Sequence, residues 1–164
     1  MAYNKGKAFE DKFKGDFQKV PNATIDRLYD VTNGYKNIKQ CSDFIGFIAT
    51  KQVDEVVYGN IYYLECKSCK GASIPFSNIS QYDNLLKKMN RPGVRAGVIL
   101  WLYEKDKVWY IPVKTIKQMK ADGEKSIGLR HIGSKYRFIE IPSVKKRVFM
   151  DSDYSVLTEL QEGD

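Results

Sequence analysis

Residues 61–67 read IYYLECK, a run of β-forming residues that holds a carboxylate and an ammonium group two positions apart. Side chains alternate between the two faces of a β-strand, so Glu65 and Lys67 point to one face while Leu64 and Cys66 point to the other. We expect Leu64 and Cys66 to cover a core. Burying charges in such a strand costs several kcal/mol unless something offsets them, and a divalent cation on Glu65 would be one such partner.

A second carboxylate, Asp43, lies near the start of a predicted strand over residues 42–50. If this strand pairs with residues 61–67, Asp43 comes close to Glu65. Two carboxylates with backbone oxygens and waters form a site typical of Mg²⁺. Lys67 could then orient or help to deprotonate an attacking water, or stabilise negative charge on a phosphate. Glu10, on a predicted helix, could hold a water in the outer shell.

Each of these residues has a simpler interpretation when it is taken alone. A Glu-x-Lys pair on a strand is usually a surface salt bridge. Asp43 could cap a turn, and Glu10 could be a solvated helix charge. The order of a helix with Glu, a strand with Asp, a strand with Glu-x-Lys and a further helix, in a basic chain, favours a catalytic role.

The remaining pattern predicts an α/β fold with a central mixed β-sheet flanked by helices. Phe9, Phe13 and Phe17 form one apolar stripe of a helix over residues 5–20. Residues 96–103, AGVILWLY, are nearly all apolar, which is typical of a strand buried on both faces. The other predicted elements are strands over residues 24–29 and 108–113, helices over residues 77–89 and 114–120, and turns at residues 33–34, 59–60 and 104–107.

Composition indicates a folded protein, because 43% of the 164 residues are hydrophobic and 29% are charged. We expect one domain over residues 1–150 and an acidic tail or short helix over residues 151–164. The charged N-terminal stretch argues against a secretory signal, and no apolar run reaches the length of about 18 residues that a membrane span needs. A cytoplasmic protein is expected.

The three cysteines, Cys41, Cys66 and Cys69, are predicted to be reduced thiols, because their number is odd and small. A structural zinc site needs four ligands, and only His131 is available to join the three cysteines. Zinc is therefore the weaker interpretation of the C-x-x-C pair.

All 27 Lys and Arg residues lie in residues 1–150, whereas five of the 20 acidic residues lie after Phe149. This basic body suits a polyanion such as DNA, although ordinary solubility gives the same pattern. A basic run at residues 145–147 is as often a solvated face as a binding surface. The predicted DNA contacts are Lys36, Lys39, Lys70, Lys87, Lys88, Arg91 and Arg95.

The order of these elements resembles the PD-(D/E)xK nuclease core, which has a restriction-endonuclease-like fold. The chain is more closely similar to the RecU-type Holliday junction resolvases, a likeness that suggests a short, phage-type member. It is carried by GKAFEDKF at residues 6–13, SDFIGF at 42–47, YLECKSCKGASIPFSNI at 63–79, AGVILWLYEKDKVWYIPV at 96–113 and GEKSIGLRHI at 123–132.

The resemblance implies that Asp43, Glu65 and Lys67 are catalytic, with Glu10 and Gln81 in support. It also implies Mg²⁺ or Mn²⁺ held by Asp43 and Glu65, a homodimer, and paired nicks across a four-way DNA junction that leave 5′-phosphates. Two alternatives stay open. One is a related nuclease that nicks other branched or duplex DNA, and the other is a DNA-binding module that no longer cuts.

The chain departs from the family pattern at two places. Ser42 stands where the name of the wider superfamily has a proline. Family members also carry a stalk that reaches into the centre of the junction, and residues 31–40, VTNGYKNIKQ, are a short candidate for it. Because this segment is short, junction selectivity is less well supported by the sequence than nuclease activity.

Overall fold

The computed structural model of the chain describes residues 5–29 and 40–160. Within these ranges lie helices, strands and short 3-10 turns. The helices are α1 (Lys5–Phe17), α2 (Tyr82–Lys88) and α3 (Val113–Ala121). The strands are β1 (Ala23–Arg27), β2 (Phe44–Val53), β3 (Val56–Cys69), β4 (Ser73–Pro75), β5 (Val94–Leu102), β6 (Lys107–Pro112), β7 (Ser126–Gly128), β8 (Ile139–Glu140), β9 (Ser143–Lys145) and β10 (Met150–Ser152). The 3-10 turns are Phe76–Asn78, Leu129–His131 and Tyr154–Glu159.

Among the described strands, six form one sheet in the order β1-β2-β3-β5-β6-β8. β3 and β5 run parallel, while β1–β2, β2–β3, β5–β6 and β6–β8 are antiparallel pairs. The predicted α/β class with a central mixed sheet is therefore confirmed. The apolar stretch that begins at Ala96 forms β5, which lies between β3 and β6 and is buried from Arg95 to Leu102.

The two faces of the sheet are covered by different helices. On one face, Phe9, Phe13 and Phe17 of α1 are all at most 4% exposed and pack with Leu64 and Cys66 in one apolar cluster. The predicted stripe on this helix is confirmed. On the other face, side chains of α2 and α3 pack against β5 and β6 in a second apolar cluster.

The predicted turn at residues 59–60 is wrong. Gly59 and Asn60 lie inside β3, and the chain instead reverses between β2 and β3 near Asp54, whose φ is 53°. Gly59 is needed for a close approach, since a Cβ there would lie 2.3 Å from the carbonyl oxygen of Ile48. Both strands therefore extend well beyond the predicted ends.

The predicted helix over residues 77–89 is also wrong in its first part. The chain forms a 3-10 turn at Phe76–Asn78, and α2 begins only at Tyr82. Ile79 interrupts the helical path with φ −94° and ψ 80°, and its side chain is buried at 4% exposure. Burial of this apolar side chain outweighs the local preference for one continuous helix, so Ser80 and Gln81 lie in a connecting segment.

The C-terminal segment packs against α1. Tyr154 and Leu157 of the last 3-10 turn are buried in the same cluster as the phenylalanine stripe. The buried carboxylate of Asp16 accepts a hydrogen bond of 3.0 Å from the backbone N–H of Ser152. Residues 161–164, where the predicted acidic tail ends, lie outside the described residues, and so does the predicted turn at residues 33–34.

Cys41, Cys66 and Cys69 are free thiols, as predicted. Burial raises the pKa of the Cys66 thiol well above its usual range. In the described part of the chain, no helix is both long enough and apolar enough to cross a membrane.

Replacement of Gly97 by Ala tests how tightly the central strand is packed. A Cβ at this position would lie 2.4 Å from the ring of Tyr110 and 2.6 Å from the carbonyl oxygen of Ile111. We expect Gly97→Ala to lower the free energy of unfolding by about 1–3 kcal/mol, measured by urea denaturation. Gly15→Ala, at an exposed position of α1 with open space, should instead raise it by about 0.5–1 kcal/mol. Equal effects at both positions would contradict the packing of β5 described above.

Candidate active site

The alternation predicted for the Glu-x-Lys strand is present in β3. Leu64 and Cys66 lie in the apolar cluster on the α1 side of the sheet. Glu65 and Lys67 therefore point to the side that α2 covers. Glu65 is 0% exposed, whereas the side chain of Lys67 is 25% exposed, so the ammonium group reaches the solvent and the carboxylate does not.

Asp43 lies beside Glu65 because β2 and β3 pair through Phe44 and Leu64. The backbone N–H of Asp43 donates a 3.1 Å hydrogen bond to the carbonyl oxygen of Leu64. The side chain of Asp43 is held at both oxygens. Its Oδ2 accepts a 2.8 Å bond from the backbone N–H of Cys66, and its Oδ1 accepts a 3.0 Å bond from the Gln81 amide.

The carboxylate of Glu65 is held through one oxygen. Its Oε1 lies 2.8 Å from the Lys67 ammonium group and accepts a 3.3 Å bond from the Ser80 hydroxyl. Its Oε2 is buried and has no hydrogen-bond partner among the described residues. Burial raises the pKa of Glu65, and the Lys67 charge opposes this shift. The site therefore contains a buried oxygen whose negative charge is not fully compensated by the protein.

This arrangement fits a hard divalent cation. A buried carboxylate oxygen without a donor is stabilised by a cation, and oxygen ligands are the ones that Mg²⁺ and Mn²⁺ prefer. Asp43 and Glu65 are the residues that would hold the ion. No group of three or more His, Cys, Asp and Glu side chains in the described ranges could hold a metal. Magnesium sites often use only one or two carboxylates and complete the shell with waters and substrate oxygens.

Glu10 is held by another partner. Its carboxylate forms an ion pair with Arg27 of β1, which also bonds to Asp11 at 2.8 Å. Arg27 pairs in register with Phe44, the residue after Asp43. Glu10 is thus close to the start of β2, but among the described residues no hydrogen bond or ion pair joins it to Asp43 or Glu65.

Sequence reasoning missed Ser80 and Arg27. Ser80 precedes Gln81 in a stretch that reads as helix, and a serine in a helical pattern gives no signal of a bond to a distant carboxylate. Because α2 begins only at Tyr82, the side chains of Ser80 and Gln81 are free to bond across to Glu65 and Asp43. A Glu on α1 and an Arg on β1 could have been paired only once the packing of helix on sheet was known.

Three of the predicted DNA contacts lie together at α2. Lys87, Lys88 and Arg91, with Cys41 and Asn84, line a hollow of about 290 Å³. We call these three basic side chains the α2 basic surface. The ammonium group of Lys88 lies 4.9 Å from the ring centre of Tyr63, which is two residues before Glu65 on the same strand. The α2 basic surface is therefore on the face of the sheet that carries the candidate active site.

The other predicted contacts are placed differently. Lys70 is 75% exposed and lies 3.7 Å from Glu104. Arg95 is buried within β5 and donates a 2.7 Å bond to the carbonyl oxygen of Leu160, so the structure does not bring it to the α2 basic surface. Lys36 and Lys39, with the candidate stalk around them, lie outside the described residues.

Glu65→Gln tests how much the buried charge of Glu65 costs the folded state in free energy. The amide keeps the shape of the side chain and removes the charge, so we expect the free energy of unfolding in EDTA to stay within about 1 kcal/mol of wild type or to rise. Glu140→Gln, which alters an exposed ion pair with Lys107, should change it by less than about 0.5 kcal/mol. A loss above about 2 kcal/mol in Glu65→Gln would show that the charged carboxylate stabilises the fold without a cation.

Comparisons with known proteins identify the family and the fold of the chain. A search of the curated proteins returns no match. Among solved structures, the Holliday junction resolvase Hjc of Archaeoglobus fulgidus has a similar fold, with a TM-score of 0.52 and 17% sequence identity over 76% of this chain and 89% of that chain. The family model for recombination protein U, RecU, matches residues 3–150. Since this match covers nearly the whole chain, the protein belongs to the RecU family of Holliday junction resolvases.

Proposed function

We propose that this protein is an endodeoxyribonuclease that resolves four-way DNA junctions by metal-dependent hydrolysis at Asp43, Glu65 and Lys67. The observation that supports the site most directly is the buried Glu65 Oε2, which has no donor among the described residues and lies beside a second carboxylate. A buried ion pair is stable when further hydrogen bonds fill the remaining capacity of its charged groups, so this open oxygen favours a bound cation over a purely structural salt bridge.

Each side chain of the site has a separate task. Asp43 and Glu65 would hold Mg²⁺ or Mn²⁺, which supplies Lewis-acid stabilisation of the charge on the phosphate when it is bound. Lys67 is fixed by its bond to Glu65 and reaches the solvent, where its ammonium group would orient the attacking water or stabilise negative charge on the phosphate. Gln81 and Ser80 hold the two carboxylates in place.

Glu10 is the least direct member of the set. Its carboxylate is 27% exposed and is oriented by Arg27, so one face of it can still accept a hydrogen bond from a water. A water held there would lie near the start of β2 and could exchange protons with solvent during the reaction. We propose this supporting role for Glu10. We also propose that the cut leaves a 5′-phosphate on the product.

Resolution of a junction requires two cuts related by symmetry, so a two-fold homodimer is the natural assembly. The positive charge of the body suits the phosphate backbone of DNA, and the exposed Lys87 and Arg91 of the α2 basic surface lie on the side of the sheet that carries the site. These contacts carry no base-reading pattern, which fits selection of a DNA shape. The proposed place of action is the cytoplasm.

Junction cutting is the central prediction. A labelled four-way junction that is incubated with wild-type protein and Mg²⁺ or Mn²⁺ should be nicked in pairs. The products are measured by gel electrophoresis. Glu65→Gln and Asp43→Asn should lower the cutting rate by about 100-fold or more, because each removes a negatively charged ligand that would hold the metal against the reacting phosphate. Flaps, forks and linear duplex of equal length should be cut more slowly than the junction.

The matched control for this assay is Glu140→Gln, which alters a Glu–Lys pair away from the site and should cut like wild type. Equal cutting of junction and linear duplex would replace resolution with a broader nuclease activity. An intact junction with wild-type protein, together with no heat of Mg²⁺ or Mn²⁺ binding that depends on Asp43 and Glu65, would leave a DNA-binding module without catalysis.

Binding through the α2 basic surface predicts a change in salt dependence. Each phosphate contact that is lost lowers the slope of log affinity against log salt by about one. In the Glu65→Gln background, Lys87→Ala with Arg91→Ala should reduce this slope for junction DNA by about two. Lys14→Ala with Lys51→Ala removes the same charge from positions away from the site and should leave the slope unchanged. The same slope in both double variants would exclude the α2 basic surface from DNA binding.

A further inference from the structure

In the hairpin formed by β9 and β10, an acidic residue lies near the base and basic residues lie at the tip. Its base carries Asp151, and its tip carries Lys146 and Arg147 in a four-residue reversal closed by a 2.8 Å bond from Lys146 N–H to the Phe149 carbonyl oxygen. Residues 144–148 are all exposed. Neither Lys146 nor Arg147 has an ion-pair partner within the described ranges. A hairpin with such a tip presents unneutralised positive charge to solvent.

The base of the hairpin is fixed to α1. Asp151 accepts bonds of 2.8 Å from Lys12 and 3.0 Å from Lys19, and these two ammonium groups lower its pKa. The backbone N–H of Ser152 donates to the buried Asp16 at 3.0 Å. Asp151, the acidic residue of the hairpin, is thus paired with lysines of the α1 region, and the charged groups at the exposed tip are all basic.

The tip lies near the C-terminal end of β5, on the α1 face of the sheet. Phe149 packs on Trp101 with ring centres 5.6 Å apart, and Trp101 pairs in register with Ser68, the residue after Lys67. Lys145, next to the tip, bonds at 2.6 Å to Asp106 in the turn that follows β5. Trp101 also lies 5.3 Å from the ring of Phe9, the neighbour of Glu10. The hairpin therefore runs along α1 to the end of the sheet at which β3 carries Lys67, but on the face opposite to the Lys67 side chain.

The hairpin and the α2 basic surface lie on opposite faces of the sheet. Phe149 and Trp101 belong to the α1 side, whereas α2 packs on the face that carries Glu65. A single straight duplex that contacts one face leaves the other uncovered. A four-way junction diverges at its centre and sends duplex arms in different directions, so a second arm can meet the opposite face.

We propose that Lys146 and Arg147 at the tip of the β9–β10 hairpin bind the phosphate backbone of a second duplex arm of a branched DNA substrate, while the arm being cut lies on the α2 side. This inference rests on the proposed function for the identity of the substrate. Exposed lysine and arginine side chains on a fixed hairpin bind phosphates without reading bases, so the tip would contribute to selection of branched over linear DNA. Lys145 stays bound to Asp106 and holds the tip in position.

The test is a binding titration with Lys146→Ala and Arg147→Ala combined, in the Glu65→Gln background and in EDTA. Affinity for a four-way junction and for a linear duplex of equal length is measured over a range of salt. We expect junction affinity to fall by about tenfold or more and the junction salt slope to fall by about two, with duplex affinity changing by less than about twofold. Lys14→Ala with Lys51→Ala is the charge-matched control and should leave the junction-to-duplex ratio unchanged.

Two results would overturn the inference. Junction affinity and salt slope equal to those of the parent would show that the tip does not touch DNA, and would favour a protein partner for the exposed Val144 and Val148 beside it. An equal loss on junction and duplex would place the tip on the arm that is cut. The proposed function is tested separately, by junction cutting with the wild-type protein, in which the tip is intact. Failure of the hairpin-tip inference therefore does not imply failure of the proposed function.

Discussion

The buried carboxylate of Glu65 is the constraint around which this structure is organised. Strand alternation requires Leu64 and Cys66 to face the α1 side, so Glu65 must face the α2 side, and it does so at 0% exposure. Removing a charge from water is unfavourable unless polar partners replace the solvent. The chain provides Lys67 and Ser80 for one oxygen, and the other oxygen has no hydrogen-bond partner among the described residues.

The irregular segment before α2 follows from the same constraint. A continuous helix over residues 77–89 would place Ser80 and Gln81 in its first turns, with their side chains fixed by the helical path. The observed break lets Ile79 enter the core, Ser80 reach Glu65 and Gln81 reach Asp43. One short connection therefore aligns carboxylates from two strands, and loss of regular secondary structure there is compensated by bonds to the site.

The local sequence pattern was sufficient to predict the elements in which apolar side chains mark the buried surface. The phenylalanine stripe of α1, the alternation in β3 and the apolar run of β5 each predicted their element, because burial acts directly on those side chains. From the sequence, Asp43, Glu65 and Lys67 could be identified as candidates, and the structure brings their strands together. Their catalytic roles, and those of Glu10 and Gln81, stay predictions.

The errors have tertiary causes. Gly59 reads as a turn residue, but its lack of a side chain serves contact with the backbone of Ile48, a partner eleven residues away in sequence that pairs across the hairpin. Arg95 reads as one more surface cation after α2, but its position in the central strand directs it to the carbonyl oxygen of Leu160. Neither contact is encoded in the neighbouring residues, so no local pattern could have indicated it.

The positions of the charged residues along each element matter in this chain as well as the net charge. Asp16 and Asp151 lie where α1 meets the last hairpin, and they bind Lys12 and Lys19 there. That pairing neutralises the buried Asp16 and the partly exposed Asp151. Among the exposed cations, Lys87 and Arg91 lie on the α2 side of the sheet, and Lys146 and Arg147 lie on the hairpin that packs on the α1 side. A net charge of +7 alone predicts attraction to a polyanion, and the presence of exposed basic groups on both faces is the basis for our proposal that the protein contacts two arms of a branched one.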